Sequence, residues 1–553
     1  MASAAQTISP VARVLIIGLD GATWTNLKPL AERGELPTLQ RLMREGAWGT
    51  LDSTIPALTP PAWTSLVTGT NPGKHGIYHF RHTPTGDYYQ RRLNNARDIR
   101  SLTLWQRLGA HGKKVGVVNV PLSHPVYPVN GFMTSDPFAP EAPQVSVYPP
   151  DLAPEFRDFI ADVTEYPTAH PTSSHYTEQI LEFINHNEKI LLLQAETELR
   201  LMKSQPWDFF MVAWMLNDRF HHFCWRFCDP ASESSLKTAE EKQIAARCLV
   251  TLRLLDTQIG RLCKAAGDNC AVVLASDHGG GPASPAFFHT NRWLIQRGYL
   301  RLLPIWNWRR AAIGYLPRSW KAKLGVPIDS KHGLVDWSRT RVWADPLESR
   351  ALAINVNRIG RFPEGIVPDV ECEALLKEVV KELSDLRTPH GAKVFAEIRP
   401  GADIFRGARN NTVPDLVGVL DKSLDVPASF RRDVRSSKLI VPNRHALRDG
   451  GHEPQGIYLF HGPNIRPAGH LPSQSIVSIA PTVLALYGLP IGDDMDTEPI
   501  VAALTEEFLR AYPPHRESKP ASADTPTTAA QPEYSEEDSA KIEERLRKLG
   551  YLD

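Results

Sequence analysis

Cysteine is scarce, six in 553 residues, with no Cys-x-x-Cys pair and no dense spacing. That excludes a disulfide framework of the small secreted kind and a zinc knuckle, and suits buried free thiols in a reducing compartment. Net charge is missing too: 62 Lys and Arg balance 62 Asp and Glu. No global field draws in nucleic acid or an anionic membrane, so an anionic substrate must be captured locally. No apolar run approaches the roughly 20 residues that span a bilayer. Met1 to Pro10 lacks the basic region and apolar stretch of a secretory leader. The expectation is a soluble, cytoplasmic protein with no membrane span and no specific nucleic-acid-binding signal. No fixed-period repeat suggests a solenoid or propeller.

What the chain does have is short apolar runs that stop at an acid. Arg13 to Leu19 runs into Asp20, Phe209 to Leu216 into Asn217-Asp218, and Ala271 to Ala275 into Ser276-Asp277-His278. Continuous apolar runs of this length read as strands buried on both faces of a parallel sheet. Between them, Glu178 to Ser204 and Ala239 to Ala266 carry apolar residues at helical spacing. The alternation predicts an α/β fold, a doubly wound, mostly parallel sheet flanked by helices, whose ligands bind beyond the carboxyl ends of the strands. Residues 11–284 and 446–512 are read as the catalytic core. Residues 285–445, with Trp293, Trp306, Trp308, Trp320, Trp337 and Trp343 among prolines and basic residues, are read as an inserted cap. Residues 513–553 are read as a flexible linker ending in a short charged helix.

The chemistry-bearing groups sit beside structural punctuation: Asp20-Gly21, Asp218 with His222, Asp277-His278-Gly279 and Gly450-Gly451-His452. Asp218 and His222 are four apart, so one helical turn puts both on one face, as two ligands of one ion require. His221 is the alternative to His222 on residue type alone. Thr59, in Leu58-Thr59-Pro60-Pro61-Ala62-Trp63, sits immediately before two prolines and a helix expected to begin over Ala62 to Val67, and at a helix N-terminus backbone N–H groups and the dipole favour an anion. Each feature alone has an ordinary account: a capping acid or threonine, a histidine in a polar gap, a turn glycine.

Taken in order, these residues resemble the type I phosphodiesterase and nucleotide pyrophosphatase branch of the alkaline phosphatase superfamily, over residues 13–80, 209–225, 270–281 and 449–465. Thr59 precedes Thr68-Gly69 and Pro72-Gly73-Lys74-His75-Gly76 in the register of that family's nucleophile. Asp218 and His222 match its Asp-x-x-x-His pair, Ser276-Asp277-His278-Gly279 its Ser-Asp-His-Gly segment, His452 its late histidine ahead of Gly462-Pro463, and Asp20 its first acid. The resemblance implies a nucleophilic Thr59 and two divalent metal ions. One would be held by Asp20, Asp277, His278 and Thr59, the other by Asp218, His222 and His452. Such nitrogen and carboxylate sets suit Zn2+, with Mn2+ as the other candidate. The asparagine that helps hold a phosphate oxygen in nucleotide-cleaving relatives falls here at Phe80, a departure that withholds nucleotide specificity. The pattern is closer to a prokaryote-like subgroup of predicted phosphohydrolases and phosphomutases.

The expected activity is two-metal hydrolysis of a small-molecule phosphate ester, of the phosphodiesterase or nucleotide pyrophosphatase type, through a phosphothreonine. The alternatives are a phosphomonoesterase or phosphosugar mutase of the same superfamily and, in another class, a catalytically silent binding or scaffold protein. Lys74, His75 and Arg81 read as loop residues, and the Val335 to Trp343 stretch as aromatic core.

Overall fold

The computed structural model describes residues 8–82, 88, 92–139, 146–159, 167, 173–303, 335–407, 413–427, 430–443, 448–518 and 534–548. Trp306, Trp308, Trp320 and most of the polar stretch before the C-terminal helix lie outside them.

One unit comprises residues 1–71, 95–283 and 446–542. Its centre is a 10-stranded sheet. Its strands are β1 (Arg13–Leu19), β2 (Ala47–Asp52), β3 (Val115–Val118), β4 (Gly131–Thr134), β5 (Val147–Tyr148), β6 (Phe209–Trp214), β7 (Cys270–Ala275), β8 (Gln455–His461) and β9 (Gly469–His470). They lie in the order β9-β2-β8-β7-β1-β6-β3-β4-β5, with Gln474–Ser475 pairing β2 off that path. Strands β7, β1, β6, β3 and β4 run parallel, while β8 is antiparallel to both neighbours and β5 to β4.

Alternation along the central strands makes the sheet two-faced. Leu15, Ile17, Phe210, Val212, Val272 and Leu274 join one core, under the long helices Tyr176–Ser204 and Ala239–Ala266. Val14, Ile16, Phe209, Met211, Ala271 and Val273 join the other, with Leu66 of helix Thr59–Thr68 and Leu484 of helix Ile479–Leu486. Every one of these strand residues is at most 3% exposed. At about 1.5–3 kcal/mol for each large apolar side chain fully buried, both faces must be covered, and helices on both sides are the result.

The second unit comprises residues 72–94, 284–445 and 543–553. Its four-stranded sheet is antiparallel, in the order Val342–Glu348, Ala351–Val356, Leu416–Leu420, Phe395–Pro400. Helix Asp369–Ser384 buries Cys372, Leu375, Val379 and Leu383 against this core, a regular element in a region whose sequence reads as irregular. Trp293, Trp337 and Trp343 are core residues here. His75 is buried, its Nδ1 accepting the Ile77 N–H at 3.1 Å, which is a local turn contact. Residues 72–94 and the chain beyond Ile542 thus cluster with 284–445, although their sequence reads as core, loop and tail.

The segment after Tyr512 is partly tied down: Arg516–Glu517 pairs in parallel with Ile491–Gly492, and Arg516 donates to the Gly492, Met495 and Thr497 carbonyls. All six cysteines are free, and all but the half-buried Cys263 are buried. Among the described residues no helix is long and apolar enough to cross a membrane.

Glu198 is a buried acid in this core, its carboxyl receiving the Trp214 indole N–H at 3.0 Å on both oxygens. Burial raises its pKa from an ordinary 4.5 to about 8, against the opposing pull of the Trp214 bond. A raised acid contributes stability below its unfolded pKa, and that contribution drains away as pH rises through the folded value. Glu198→Gln keeps an acceptor for the indole and removes this dependence. The variant should melt with the wild type at pH 4.5 and above it at pH 8.5, as followed by circular dichroism.

Candidate metal centre

Because β7, β1 and β6 are adjacent and parallel, their carboxyl ends lie side by side, and each delivers an acid within a few residues of the strand. Asp20 follows β1 directly and Asp277 follows β7 by two residues. Asp218 sits in the first turn of helix Leu216–Cys228 after β6. Its N–H bonds the Asp20 carbonyl at 2.9 Å. Gly21, at φ +71°, passes so close that a Cβ there would lie 2.7 Å from Asp218 Cα. Only glycine satisfies both the left-handed turn and that approach.

His452 comes from far along the chain. Strand Gly450–Glu453 pairs antiparallel with Gly279–Pro282, placing His452 opposite Gly280 and so beside Asp277 and His278. The antiparallel pair carries what the parallel strands cannot.

The polar atoms converge. His222 Nε2 and His452 Nε2 lie 3.3 and 3.1 Å from Asp218 Oδ1, and 3.1 Å from each other. His278 Nε2 lies 3.3 Å from Asp277 Oδ2, 3.8 Å from Asp20 Oδ1 and 3.5 Å from Thr59 Oγ1. The His278 and His452 rings stack at 3.9 Å, so all seven side chains singled out in the sequence form one connected cluster. Two groups could hold a metal ion: Asp20, Asp277 and His278, and Asp218, His278 and His452. His222 adjoins the second through the contacts above. His221 faces elsewhere, its Nε2 3.3 Å from Asn26 Nδ2.

Most of these groups have their other polar atom fixed by the scaffold. Asp20 Oδ2 accepts the Trp63 indole N–H at 2.7 Å, and Asp277 Oδ1 the Gly21 N–H at 3.1 Å. His278 Nδ1 lies 3.0 Å from the Gly279 carbonyl and His452 Nδ1 3.1 Å from that of Ala57. The sequence reading singled out none of these supports. Three of the four are backbone atoms, which every residue carries, so no residue type betrays them.

A divalent cation fits this donor set. Asp20 Oδ1 and Asp277 Oδ2 are buried without a hydrogen-bond partner, which is costly unless a cation meets them. A tetrahedral ion with bonds of about 2.0–2.1 Å separates its ligand atoms by about 3.3–3.4 Å. The Asp218, His222 and His452 atoms, at 3.1 to 3.3 Å, are spaced close to that. Burial, then the neighbouring Asp277 and Asp218 charges, push the Asp20 carboxyl well above its ordinary range. Burial, reinforced by Asp218, does the same to Asp277. Burial lowers His452 to about 3, so its imidazole stays neutral and ligand-competent.

The description of type I phosphodiesterase / nucleotide pyrophosphatase proteins matches residues 14–445 of this chain. The chain belongs to that family. It is therefore a phosphoester hydrolase by family, with His452 lying beyond the matched stretch. Similarity to solved structures is at low identity. Human ectonucleotide pyrophosphatase / phosphodiesterase 5 is 13% identical with a TM-score of 0.45, over 90% of this chain and 99% of that one. Phosphonoacetate hydrolase from Sinorhizobium meliloti 1021, in complex with phosphonoacetate, is 14% identical with a TM-score of 0.47, over 85% and 94%. A comparison with curated proteins finds no match.

The electrostatics of the cluster fix a sign. Asp20 and Asp277 have folded pKa values raised above 3.8, so the stability they contribute at low pH is lost as pH rises through those values. His452, lowered from 6.5 to about 3, contributes stability above pH 6.5 that is lost as pH falls toward 3. A dication replaces the protons the acids otherwise retain. Zinc added to chelator-stripped protein should therefore raise the melting temperature more at pH 8 than at pH 5.5; an equal rise at both would contradict the assignment.

Proposed function

We propose that this protein hydrolyses a small-molecule phosphate ester of the diester or pyrophosphate type by double displacement at Thr59. Two zinc ions would be held by Asp20, Asp277, His278 and Thr59, and by Asp218, His222 and His452. What carries the reading is one observation: the Thr59 hydroxyl lies 3.5 Å from His278 Nε2, at the edge of a buried cluster of carboxylates and imidazoles whose inward atoms have cation spacing. When bound, the ions supply Lewis acidity that lowers the pKa of a hydroxyl or water and offsets charge on phosphate oxygens.

The chain does the rest. Thr59 is fully buried in the first turn of its helix, which holds its Oγ at one position and pays the orientation entropy in advance. Its oxygen forms the bond to phosphorus and its proton passes to solvent, while the ester oxygen on the opposite side departs with its electron pair and takes up a proton, leaving phosphothreonine. Water then attacks the same phosphorus, the P–O bond to Thr59 breaks, and the phosphate product leaves with the threonine hydroxyl restored. His278 and His452, held through Nδ1 at the Gly279 and Ala57 carbonyls, keep Nε2 turned inward through both steps.

Thr59→Ala should lower kcat on a chromogenic phosphodiester by at least about 10³-fold, the scale on which loss of a nucleophile acts, with zinc uptake largely kept. Thr59→Ser should retain measurable turnover. Release of inorganic phosphate or a phosphomonoester distinguishes hydrolysis from phosphoryl return in a mutase. A Thr59→Ala enzyme as fast as wild type would refute the phosphothreonine.

A further inference from the structure

Trp63 has no part in the chemistry above, yet it is fully buried and sits one helical turn after Thr59. Val14 and Ile16 of β1 point into the core under this helix. The next residue on that face is Gly18, and the indole occupies the space its side chain would fill. A Cβ on Gly18 would lie 2.3 Å from Trp63 Cη2 and 2.9 Å from Cζ3. Two residues further along the same face is Asp20, whose Oδ2 receives the indole N–H at 2.7 Å. A buried indole N–H needs an acceptor, and a carboxylate oxygen held this way is fixed in direction as well as satisfied. The other oxygen, Oδ1, is thereby left on the side of His278 and Asp277.

We propose that Trp63 is a positioning residue for the cation site of Asp20, Asp277 and His278: its indole, seated on Gly18, sets the Asp20 carboxylate so that Oδ1 faces the ion. The inference rests on the reading of those three side chains as ligands. It adds that the helix presenting Thr59 also aims the acid, so nucleophile and cation site are set by one rigid element. Partners of metal ligands typically govern affinity by 10–100-fold.

The test is zinc titration of the full-length apo protein by competition with a chromogenic chelator, comparing wild type with Trp63→Phe, which keeps a ring and removes the N–H. The expected result is two zinc equivalents in wild type, and in the variant one affinity weakened about 10–100-fold with the other unchanged. Its lost turnover should be largely restored at high zinc. If the Phe variant does not fold, Gly18→Ala, which drives the indole off its seat with the N–H intact, carries the same expectation. A folded variant with both affinities unchanged overturns the proposal. So does an equal loss at both sites with a lowered apo melting temperature, which is the signature of packing alone. Wild-type protein that takes up no zinc overturns the site reading itself, a failure distinct from that of Trp63.

Discussion

Mutual repulsion among three buried acids is the constraint on which the site turns. Asp20, Asp218 and Asp277 are each at most 2% exposed, and burial together with their neighbours' charge raises Asp20 and Asp277. Against its burial, Asp218 is held well below the ordinary carboxylate range by His222 and His452, whereas Asp20 and Asp277, little screened by solvent or salt, must stay protonated or meet a cation. The fold makes the problem unavoidable, since three neighbouring parallel strands all end at the same edge of the sheet. It also brings three imidazoles, those of His222, His278 and His452, in among the acids.

The scaffold's contribution is to decide which atoms face inward. Asp20, Asp277, His278 and His452 each spend one polar atom on a fixed partner, which leaves the other directed into the cluster. Two of these partners come from the segment around Thr59, namely the Ala57 carbonyl and the Trp63 indole. The stretch that presents the hydroxyl therefore also orients an imidazole and a carboxylate. Displacing this segment by a fraction of an ångström would disturb all three together, a sensitivity expected of preorganised sites.

Much of this was legible in the sequence for a specific reason. Strands buried on both faces read as unbroken apolar runs, so the positions of Asp20, Asp218 and Asp277 at strand ends could be inferred before their neighbours were known. His452 is different: its place beside Gly450-Gly451 marks it as a candidate, but only the family resemblance groups it with Asp218 and His222, because strand pairing over the 230 residues that separate it from His222 leaves no local signal. The choice between His221 and His222 is likewise open on residue type; on helix Leu216–Cys228 His222 Nε2 lies 3.3 Å from Asp218 Oδ1 and 3.1 Å from His452 Nε2, whereas His221 Nε2 lies beside Asn26, which favours His222. Trp63 and Gly18 look like ordinary core residues until the indole is seen lying on the glycine. The second unit was the least legible, because the Cys372, Leu375, Val379 and Leu383 stripe is narrow and set among acids and lysines, while the surrounding tryptophans and prolines suggest irregular chain.

The helix bearing Thr59 gives a reason for the proposed site to use cations. A helix N-terminus ordinarily offers an anion several free N–H groups. Here Pro60 and Pro61 carry none, and the Ala62 N–H is spent on the Leu58 carbonyl at 3.0 Å. The Thr59 amide is the only donor left to the first turn, too little to balance the charge on a phosphoryl group in transfer. The prolines fix the backbone that holds the hydroxyl in place and remove the donors that would otherwise serve as an oxyanion hole. The proposed nucleophile would thus be rigid in its backbone and would rely for charge stabilisation on a cation held by the acid and imidazole cluster, which ties the two halves of the proposed site together.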